Sequence, residues 1–375
     1  MSNSKSRDAS QLQSSTLGAY TLAEILSQPR CWADCLKRFA SQGALDEIKN
    51  RFANSPEWVF VGCGSSYYIA LAAAASWTAI TGTRARAVPA SEILLFRDLA
   101  LGGTKDFVPV LISRSGRTSE VLRTAQLFNE KRVPTLAISC APNQKLESMA
   151  TVSIVLPEAD EQSTVMTRSF TSMLLCLQSL AASLTGKDLL DRFQALPPVA
   201  EKLMADLPIR VREFVNHNRF SDFVCLGQGP FYGLACESSL KVMEMSSTYA
   251  QSFHTLEFRH GPKSIVSDAT LITFLLSDEN LETEIEVLEE MKELGGKTLV
   301  VANHLPLRAR AAADLVVELD FDLPELSCLG AYVFAGQLVG FYTALRKGLD
   351  PDRPTNLSRV VVLPGDKEQS ENAAI

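Results

Sequence analysis

The chain has 375 residues, of which 46% are hydrophobic and 21% charged, and it carries a formal net charge of −7 at pH 7. These values exclude a mostly disordered chain, a collagen-like fibre and a small disulfide scaffold. The acidic balance, with no block of Lys and Arg, argues against nucleic-acid binding. At about 150 residues per domain, the length predicts two or three domains.

The N-terminal region predicts a tail followed by a helical arm. Its first 18 residues, MSNSKSRDASQLQSSTLG, are polar and lack the apolar core of a signal peptide, so we expect a flexible tail. Residues 21–39 then carry apolar side chains at helical spacing, with an interruption near Pro29. The longest apolar run that we identify, residues 67–80, is too short to cross a bilayer, and we expect no membrane partner.

The chain contains an internal repeat. WVFVGCGSSYYIALAAAA begins at residue 58 and FVCLGQGPFYGLACESSLKV at residue 223, so that Gly62 and Gly64 recur as Gly227 and Gly229. Two later strand-like segments recur in the same order, PVLIS as TFLLS and PTLAIS as KTLVVA. Short apolar runs that alternate with helical patterns predict parallel sheets flanked by helices on both faces. The fold class is therefore α/β, with two tandem, doubly wound, flavodoxin-like halves.

The repeat sets the expected domain boundaries. We expect a tail and arm at residues 1–44, a first α/β domain at 45–195, a second at 205–350 and a C-terminal tail at 351–375. The Pro-containing segment LPPVAEKLMADLP is expected to connect the two domains, and the final DKEQSENAAI to be loose.

The eight cysteines indicate a reducing compartment and no metal site. Cys31 and Cys35 are four residues apart on a predicted helix, but no second cysteine or histidine pair completes a ligand set. We therefore expect buried free thiols in a cytoplasmic protein.

Ligands of open α/β sheets bind beyond the carboxyl ends of the strands, and the first loop of this kind covers residues 62–66, GCGSS. A dinucleotide fingerprint would need a third glycine where Tyr67 stands, and an acidic residue about 20 positions further on. The nearest acidic residue downstream is Glu92, so we expect no nicotinamide or flavin cofactor.

The second loop, residues 113–118 (SRSGRT), has three hydroxyls and a glycine between a predicted strand and a predicted helix. Backbone N–H groups at a helix N-terminus and hydroxyl donors bind anions, and Arg114 or Arg117 can add charge. This loop therefore predicts phosphate binding, although it has no Walker sequence. A third loop, residues 162–170, is by itself only another capped helix start.

The second half has exchanged this loop for acidic residues at 278–279, which would repel phosphate. It carries instead Lys241 and Glu244, three residues apart on one face of a predicted helix, with Glu237 four residues before the lysine. A solvated charge ladder is the commoner reading of this spacing. His260 follows before Gly-Pro, at an expected turn.

Together these motifs resemble the double sugar-isomerase (SIS) domain proteins, in particular the isomerase half of glucosamine-6-phosphate synthase. The resemblance rests on GCGSSY, SRSGRT, STVMTRSF, LKVMEMS and EFRHGP, in this order, and covers about residues 20–365. It extends to stand-alone ketose/aldose-phosphate isomerases and amino-sugar-phosphate deaminases, including the tagatose-6-phosphate isomerase/galactosamine-6-phosphate deaminase group.

The resemblance implies a role for each motif. Glu244 is implied to move a proton between C1 and C2, His260 to open the sugar ring (from the neighbouring subunit in the synthase), and Lys241 to lie near the reacting carbons. The implied substrate-binding residues are Gly64, Ser65, Ser66, Ser113, Arg114, Ser115, Thr118, Thr164, Ser358 and Arg359. The resemblance implies no metal and no cofactor. It does imply a homodimer with a shared active site.

Three departures from the synthase bear on the reaction. Arg114 replaces a glutamine, and Arg359 replaces the tail lysine that forms an imine with the ketose; arginine stays protonated and should not form one. Only a tail and an arm precede the first repeat, so we expect no internal supply of ammonia. We therefore expect release of ammonia from a hexosamine 6-phosphate, glucosamine 6-phosphate before galactosamine 6-phosphate. The alternatives are an aldose–ketose isomerase, a deglycase of phosphorylated fructosamines and a non-catalytic sensor of sugar phosphates.

Overall fold

The computed structural model describes residues 17–41, 43–103, 106–186 and 190–366. The predicted N-terminal tail lies outside the described residues up to position 16, and the expected loose C-terminal tail does so from position 367.

The described chain begins with the predicted helical arm. Helix α1 spans Ala19–Leu26 and helix α2 spans Gln28–Ser41. The interruption falls at Ser27, and Pro29 occupies the first turn of α2, where its missing N–H would have had no partner within the helix. Helix α3, Ala44–Phe52, leads into the first sheet.

The first half forms a five-stranded parallel sheet in the order β2-β1-β3-β4-β5. Its elements, in chain order, are β1 Glu57–Gly62, α4 Ser65–Thr81, β2 Arg84–Pro89, α5 Ala90–Leu95, α6 Arg97–Ala100, β3 Val108–Ile112, α7 Ser119–Glu130, β4 Leu136–Ser139, α8 Lys145–Met149, β5 Val152–Val155 and α9 Arg168–Thr185. The central strands β1, β3 and β4 are buried along their whole length, as is typical of a parallel sheet with helices on both faces.

The second half forms a second parallel sheet, in the order β10-β9-β8-β6-β7. Its elements are α10 Leu190–Met204, α11 Leu207–His217, β6 Asp222–Gly227, α12 Pro230–Ser246, β7 Ala250–Phe253, β8 Thr270–Leu275, α13 Leu281–Glu293, β9 Lys297–Ala302, α14 Leu307–Ala312, β10 Leu315–Glu318, α15 Leu329–Tyr332 and α16 Phe334–Arg346. Short 3-10 turns lie at Glu257–Arg259 and Pro262–Ile265. Counted from its own first strand, each half has the same strand order, which confirms the α/β class and the tandem repeat.

The repeated glycines have the same backbone geometry in both halves. Gly64 has φ 54° and ψ −129°, and Gly229 has φ 54° and ψ −126°, a region that essentially only glycine occupies. At Gly62 a Cβ would lie 2.5 Å from the carbonyl oxygen of Ser66, and at Gly227 it would lie 2.5 Å from that of Phe231. The GxG spacing is therefore explained by a tight turn between strand and helix.

Helix α12 joins the two halves. It packs between α4 of the first half and α16 of the second, and glycines permit the close approach. A Cβ on Gly233 would lie 2.7 Å from the carbonyl oxygen of Tyr68, and one on Gly340 would lie 2.7 Å from that of Lys241. One hydrophobic core consequently runs through both halves and the arm. This packing places residues of α12 beside the first turn of α4.

Two helical segments were not specified by the sequence analysis. The segment LPPVAEKLMADLP, residues 196–208, is helical, since α10 continues through Pro197 and Pro198 and α11 follows it. The sequence analysis also passed over Glu325–Arg346, a helical run long and apolar enough by length and composition to cross a membrane. Within this run, 89% of the most apolar window is buried inside the protein, as in the core helix of a globular fold.

Candidate active site

A cavity of about 180 Å³ lies at the carboxyl ends of β1 and β3, between the first half, α12 and the C-terminal tail. Pockets for drug-sized ligands have volumes of roughly 300–1,000 Å³, so this one suits a smaller metabolite. It is lined by Cys63, Gly64, Ser65, Ser66, Arg114, Ser115, Thr118, Thr164, Met166, Glu244, Leu357, Ser358, Arg359 and Val361. The cavity therefore combines all three predicted loops with the tail and one carboxylate of the second half.

Three of the predicted site residues do not line this cavity. Ser113 lies just beneath it and shares a hydrogen bond with Thr118, Oγ to Oγ1, at 3.2 Å. Lys241 is fully buried behind Ser65 and Glu244. His260 is exposed, in the turn between the two 3-10 segments, before Gly261 at φ 114°.

The loop of residues 113–118 has the geometry of an anion site. Helix α7 begins at Ser119 after an extended Thr118, so its first N–H groups have no partner within the helix. Ser115 accepts a hydrogen bond on Oγ from the backbone N–H of Arg117 at 3.2 Å, and its side chain is buried at the cavity wall. The N–H of Ser119 already donates to the Val361 carbonyl oxygen at 3.2 Å, and the hydroxyl residues Ser115 and Thr118 line the cavity at this helix N-terminus, which favours a phosphate.

The Thr118 hydroxyl can be tested by an isosteric change. Thr118→Val is expected to raise the KM for a sugar phosphate about 10- to 100-fold with kcat within about twofold, since a hydrogen bond to a charged group contributes about 1.5–3 kcal/mol and this one is made throughout the reaction. Steady-state kinetics measure the change, with Thr283→Val on the exposed face of α13 as the control. An unchanged KM would remove Thr118 from the phosphate site.

Arg114 lines the cavity, but its guanidinium is bonded to groups of the protein. Its guanidinium pairs with Glu161 at 3.0 Å, and both side chains are at most 5% exposed. It also donates to the carbonyl oxygens of Val165 at 3.0 Å, Thr164 at 2.8 Å and Arg359 at 3.2 Å. Arg114 thus ties the phosphate loop to the third loop and the tail, and its charge is largely balanced by Glu161. Arg117 is exposed and lines a neighbouring cavity.

The charge ladder on α12 is buried, contrary to the commoner reading of its spacing. Lys241 pairs with Glu237 at 3.3 Å and with Glu244, and its ammonium also donates to Ser65 Oγ at 3.2 Å. Lys241 and Glu237 are fully buried, whereas the Glu244 side chain is 19% exposed and opens into the cavity. Glu244 is therefore placed to meet a ligand, with Lys241 directly behind it.

One ammonium cannot balance two carboxylates, and the pKa values reflect this. Burial, together with the nearby charge of Glu244, raises the pKa of Glu237 to about 8, against the opposing effect of Lys241. Burial works to lower the pKa of Lys241, but the two carboxylates outweigh it and raise that pKa above its ordinary value. Near neutral pH the arrangement is a protonated lysine beside a largely protonated Glu237, and Glu244 lies on the cavity side of this lysine.

The sequence analysis missed residues that support the site. Cys63, Met166, Leu357 and Val361 also line the cavity, and Met166 lies inside the motif STVMTRSF. Buried Glu161 accepts hydrogen bonds from the backbone N–H of Thr167 at 2.6 Å and of Ser169 at 3.1 Å. The spacing of these residues in the sequence gives no sign of that role.

Cysteines and other possible ligands form no metal site in the described part of the chain. All eight cysteines are free, and seven of them are buried. Among the described residues, no group of three or more His, Cys, Asp or Glu side chains is arranged to hold a metal ion.

Comparison with known proteins identifies relatives of both sequence and fold. Residues 51–183 match the SIS domain family. Glutamine–fructose-6-phosphate aminotransferase (isomerizing) of Methanothermobacter thermautotrophicus is 25% identical over 350 residues, which are 92% of this chain and 57% of that protein. The same enzyme of Pyrobaculum aerophilum is 26% identical over 358 residues, with the same coverage. The chain thus spans just over half the length of these curated relatives.

Solved structures match along nearly the whole of their chains. Glucosamine-6-phosphate deaminase of Thermotoga maritima is 28% identical with a TM-score of 0.74, and the match covers 92% of this chain and all of the deaminase chain. Tagatose-6-phosphate ketose/aldose isomerase of Escherichia coli is 23% identical with a TM-score of 0.81, covering 92% of this chain and 97% of that one. The second likeness shows a shared fold.

Proposed function

Because residues 51–183 match the SIS domain family, we propose that the chain is a phosphosugar-processing enzyme that deaminates and isomerises a hexosamine 6-phosphate. The products are a ketose 6-phosphate and ammonia, with one water consumed. Glucosamine 6-phosphate is the first substrate to consider and galactosamine 6-phosphate the second. The similarity to a glucosamine-6-phosphate deaminase supports this order.

One observation carries the proposal: the anion-binding loop of the first half and Glu244 of the second half face one small cavity. A sugar phosphate bound with its phosphate at residues 113–118 extends toward α12, where a carboxylate and a buried ammonium lie together. Proton transfer between adjacent carbons needs a base beside the sugar and a positive group near the developing enediolate oxygen. Glu244 and Lys241 are suited to these two tasks.

The remaining steps are assigned to groups that close the site. Arg359 lies at the cavity and pairs with Asp160, so the tail can cover the substrate without forming an imine. Ring opening is assigned to His260. Because this side chain is exposed and does not line the cavity of its own chain, we assign the step to His260 of a second copy of the chain in a homodimer. The eight free thiols support a cytoplasmic location.

Ammonia release tests the proposal directly. Purified protein is incubated with glucosamine 6-phosphate and with galactosamine 6-phosphate, and ammonia and ketose phosphate are measured together. We expect equal amounts of both products from one of the two sugars. The control is Glu201→Gln, an exposed carboxylate on α10.

Other outcomes would replace the proposal with one of the alternatives. Ketose formation from a neutral aldose phosphate, without ammonia from either amino sugar, would indicate an aldose–ketose isomerase. Cleavage of a phosphorylated fructosamine would indicate a deglycase. Binding of sugar phosphates without turnover of any would indicate a sensor.

A further inference from the structure

The irregular part of the third loop, residues 162–167, is held by both the N-terminal arm and the C-terminal tail. It supplies Thr164 and Met166 to the cavity, yet it has no regular secondary structure, since a 3-10 turn ends at Ala159 and the next helix begins at Arg168. Loops of this kind depend on contacts from elsewhere to keep one conformation. Its position therefore has to be fixed by other elements.

The arm provides one fixed point through Glu24 on α1. Its carboxylate accepts hydrogen bonds from the backbone N–H of Gln162 at 2.6 Å and of Ser163 at 3.3 Å, and from the Ser163 hydroxyl. Glu24 is only 3% exposed, which is rare for a glutamate unless its oxygens are paired. These three bonds end at the two residues that precede Thr164.

The C-terminal tail provides the second fixed point through Asp352. Its backbone carbonyl accepts from the N–H of Thr164 at 3.0 Å. Its carboxylate accepts from the N–H of Thr21 at 2.7 Å, from the Thr21 hydroxyl at 2.7 Å, and from the N–H of Tyr20 at 3.1 Å. The arm and the tail are thus bonded to each other and to adjacent residues of the same loop, the arm to residues 162 and 163 and the tail to residue 164.

From this geometry we propose that Glu24 is a positioning residue for the active site: it fixes the backbone ahead of Thr164, so that the N-terminal arm is a working part of the sugar site. The proposal deepens the proposed function and rests on it. Glu24 touches neither the cavity nor the substrate and acts through Thr164. In enzymes a displacement of about 1 Å in a substrate-contacting group can cost about 100-fold in rate.

The arm offers a matched control in Gln28. This buried side chain also ties the arm to the core, donating to Gln337 Oε1 at 2.7 Å and accepting from Thr171 Oγ1 at 2.8 Å, but it makes no hydrogen bond to residues 160–166. Gln28→Ala and Glu24→Ala should therefore lower thermal stability to a similar degree. Only the second should change catalysis.

The test compares Glu24→Ala, Glu24→Gln and Gln28→Ala in the full chain, with steady-state kinetics on whichever phosphosugar the wild type converts. We expect kcat/KM to fall about 10- to 100-fold in Glu24→Ala. Glu24→Gln should recover part of this loss, because its amide oxygen still accepts from Gln162. Gln28→Ala should stay within about twofold of the wild type.

A double-mutant cycle with Thr164→Ala separates positioning from general destabilisation. If Glu24 acts through Thr164, the double variant should be little worse than Thr164→Ala alone, whereas independent effects would multiply. Multiplying losses, or a Gln28→Ala defect equal to that of Glu24→Ala, would overturn the assignment. If the wild type converts no phosphosugar, the proposed function itself fails, and no comparison of variants is then needed to show it.

Discussion

Glu244→Gln is expected to reduce kcat about 10²- to 10⁴-fold while leaving the affinity for the sugar phosphate nearly unchanged. General base catalysis contributes about this factor, and the glutamine amide cannot accept the carbon-bound proton. The change removes no large part of the core, because the side chain is 19% exposed at the cavity wall. Binding should persist because the phosphate loop lies in the other half of the chain.

Two measurements check this expectation. Single-turnover kinetics report the chemical step, and calorimetric titration with the sugar phosphate reports binding. Glu201→Gln, an exposed glutamate on α10, should match the wild type in both. A Glu244→Gln enzyme that retains more than a tenth of the wild-type kcat would show that another group moves the proton. A loss of binding in step with kcat would instead assign Glu244 to substrate binding.

Lys241→Met is expected to lower the free energy of unfolding by about 1–3 kcal/mol near neutral pH, in addition to abolishing turnover. Glu237 is largely protonated there, so the change leaves its fully buried carboxyl group and the hydroxyl of Ser65 without the ammonium as a partner. Urea denaturation followed by circular dichroism measures the change. Lys202→Met, which alters an exposed lysine on α10, should stay within about 0.5 kcal/mol of the wild type.

A second substitution and a pH series identify the cause. Adding Glu237→Leu to Lys241→Met should restore part of the lost stability, because an apolar side chain then replaces the buried carboxyl group that lost its partner. In the wild type the pKa of Glu237 is raised from 4.5 to about 8, so the folded protein holds a proton that the unfolded chain has lost. The contribution of Glu237 to the unfolding free energy should therefore decline as pH rises from about 4.5 to about 8. This decline should be absent in Glu237→Gln. If the unfolding free energies of Glu237→Gln and of the wild type depend on pH in the same way, the pKa of Glu237 is not raised by burial.

The sequence by itself determined the fold class, and it predicted the loops that line the cavity. Gly62 and Gly64 repeat as Gly227 and Gly229 because a strand-to-helix turn with so little room requires them, and such local constraints are visible in one dimension. The hydroxyl-rich residues 113–118 are also local, since a strand end and a helix start are adjacent in the chain.

Only the tertiary structure decided what surrounds each charge. The spacing of Glu237, Lys241 and Glu244 shows that they share a helix face. Whether that face is exposed to solvent depends on α4 and α16, which pack on both sides of α12. The burial of this ladder, and the raised pKa of Glu237 with it, therefore lay outside what the sequence could predict.

The same reason applies to the residues that orient the loops. The place of Arg114 in the loop predicts a phosphate ligand. Its guanidinium donates instead to the carboxylate of Glu161, which is 47 residues away in the sequence. Glu24 and residue 163 are 139 positions apart, and no local pattern connects them. Periodicity and motifs report interactions between near neighbours in the chain, whereas these contacts exist only once the arm, the third loop and the tail have folded against one another.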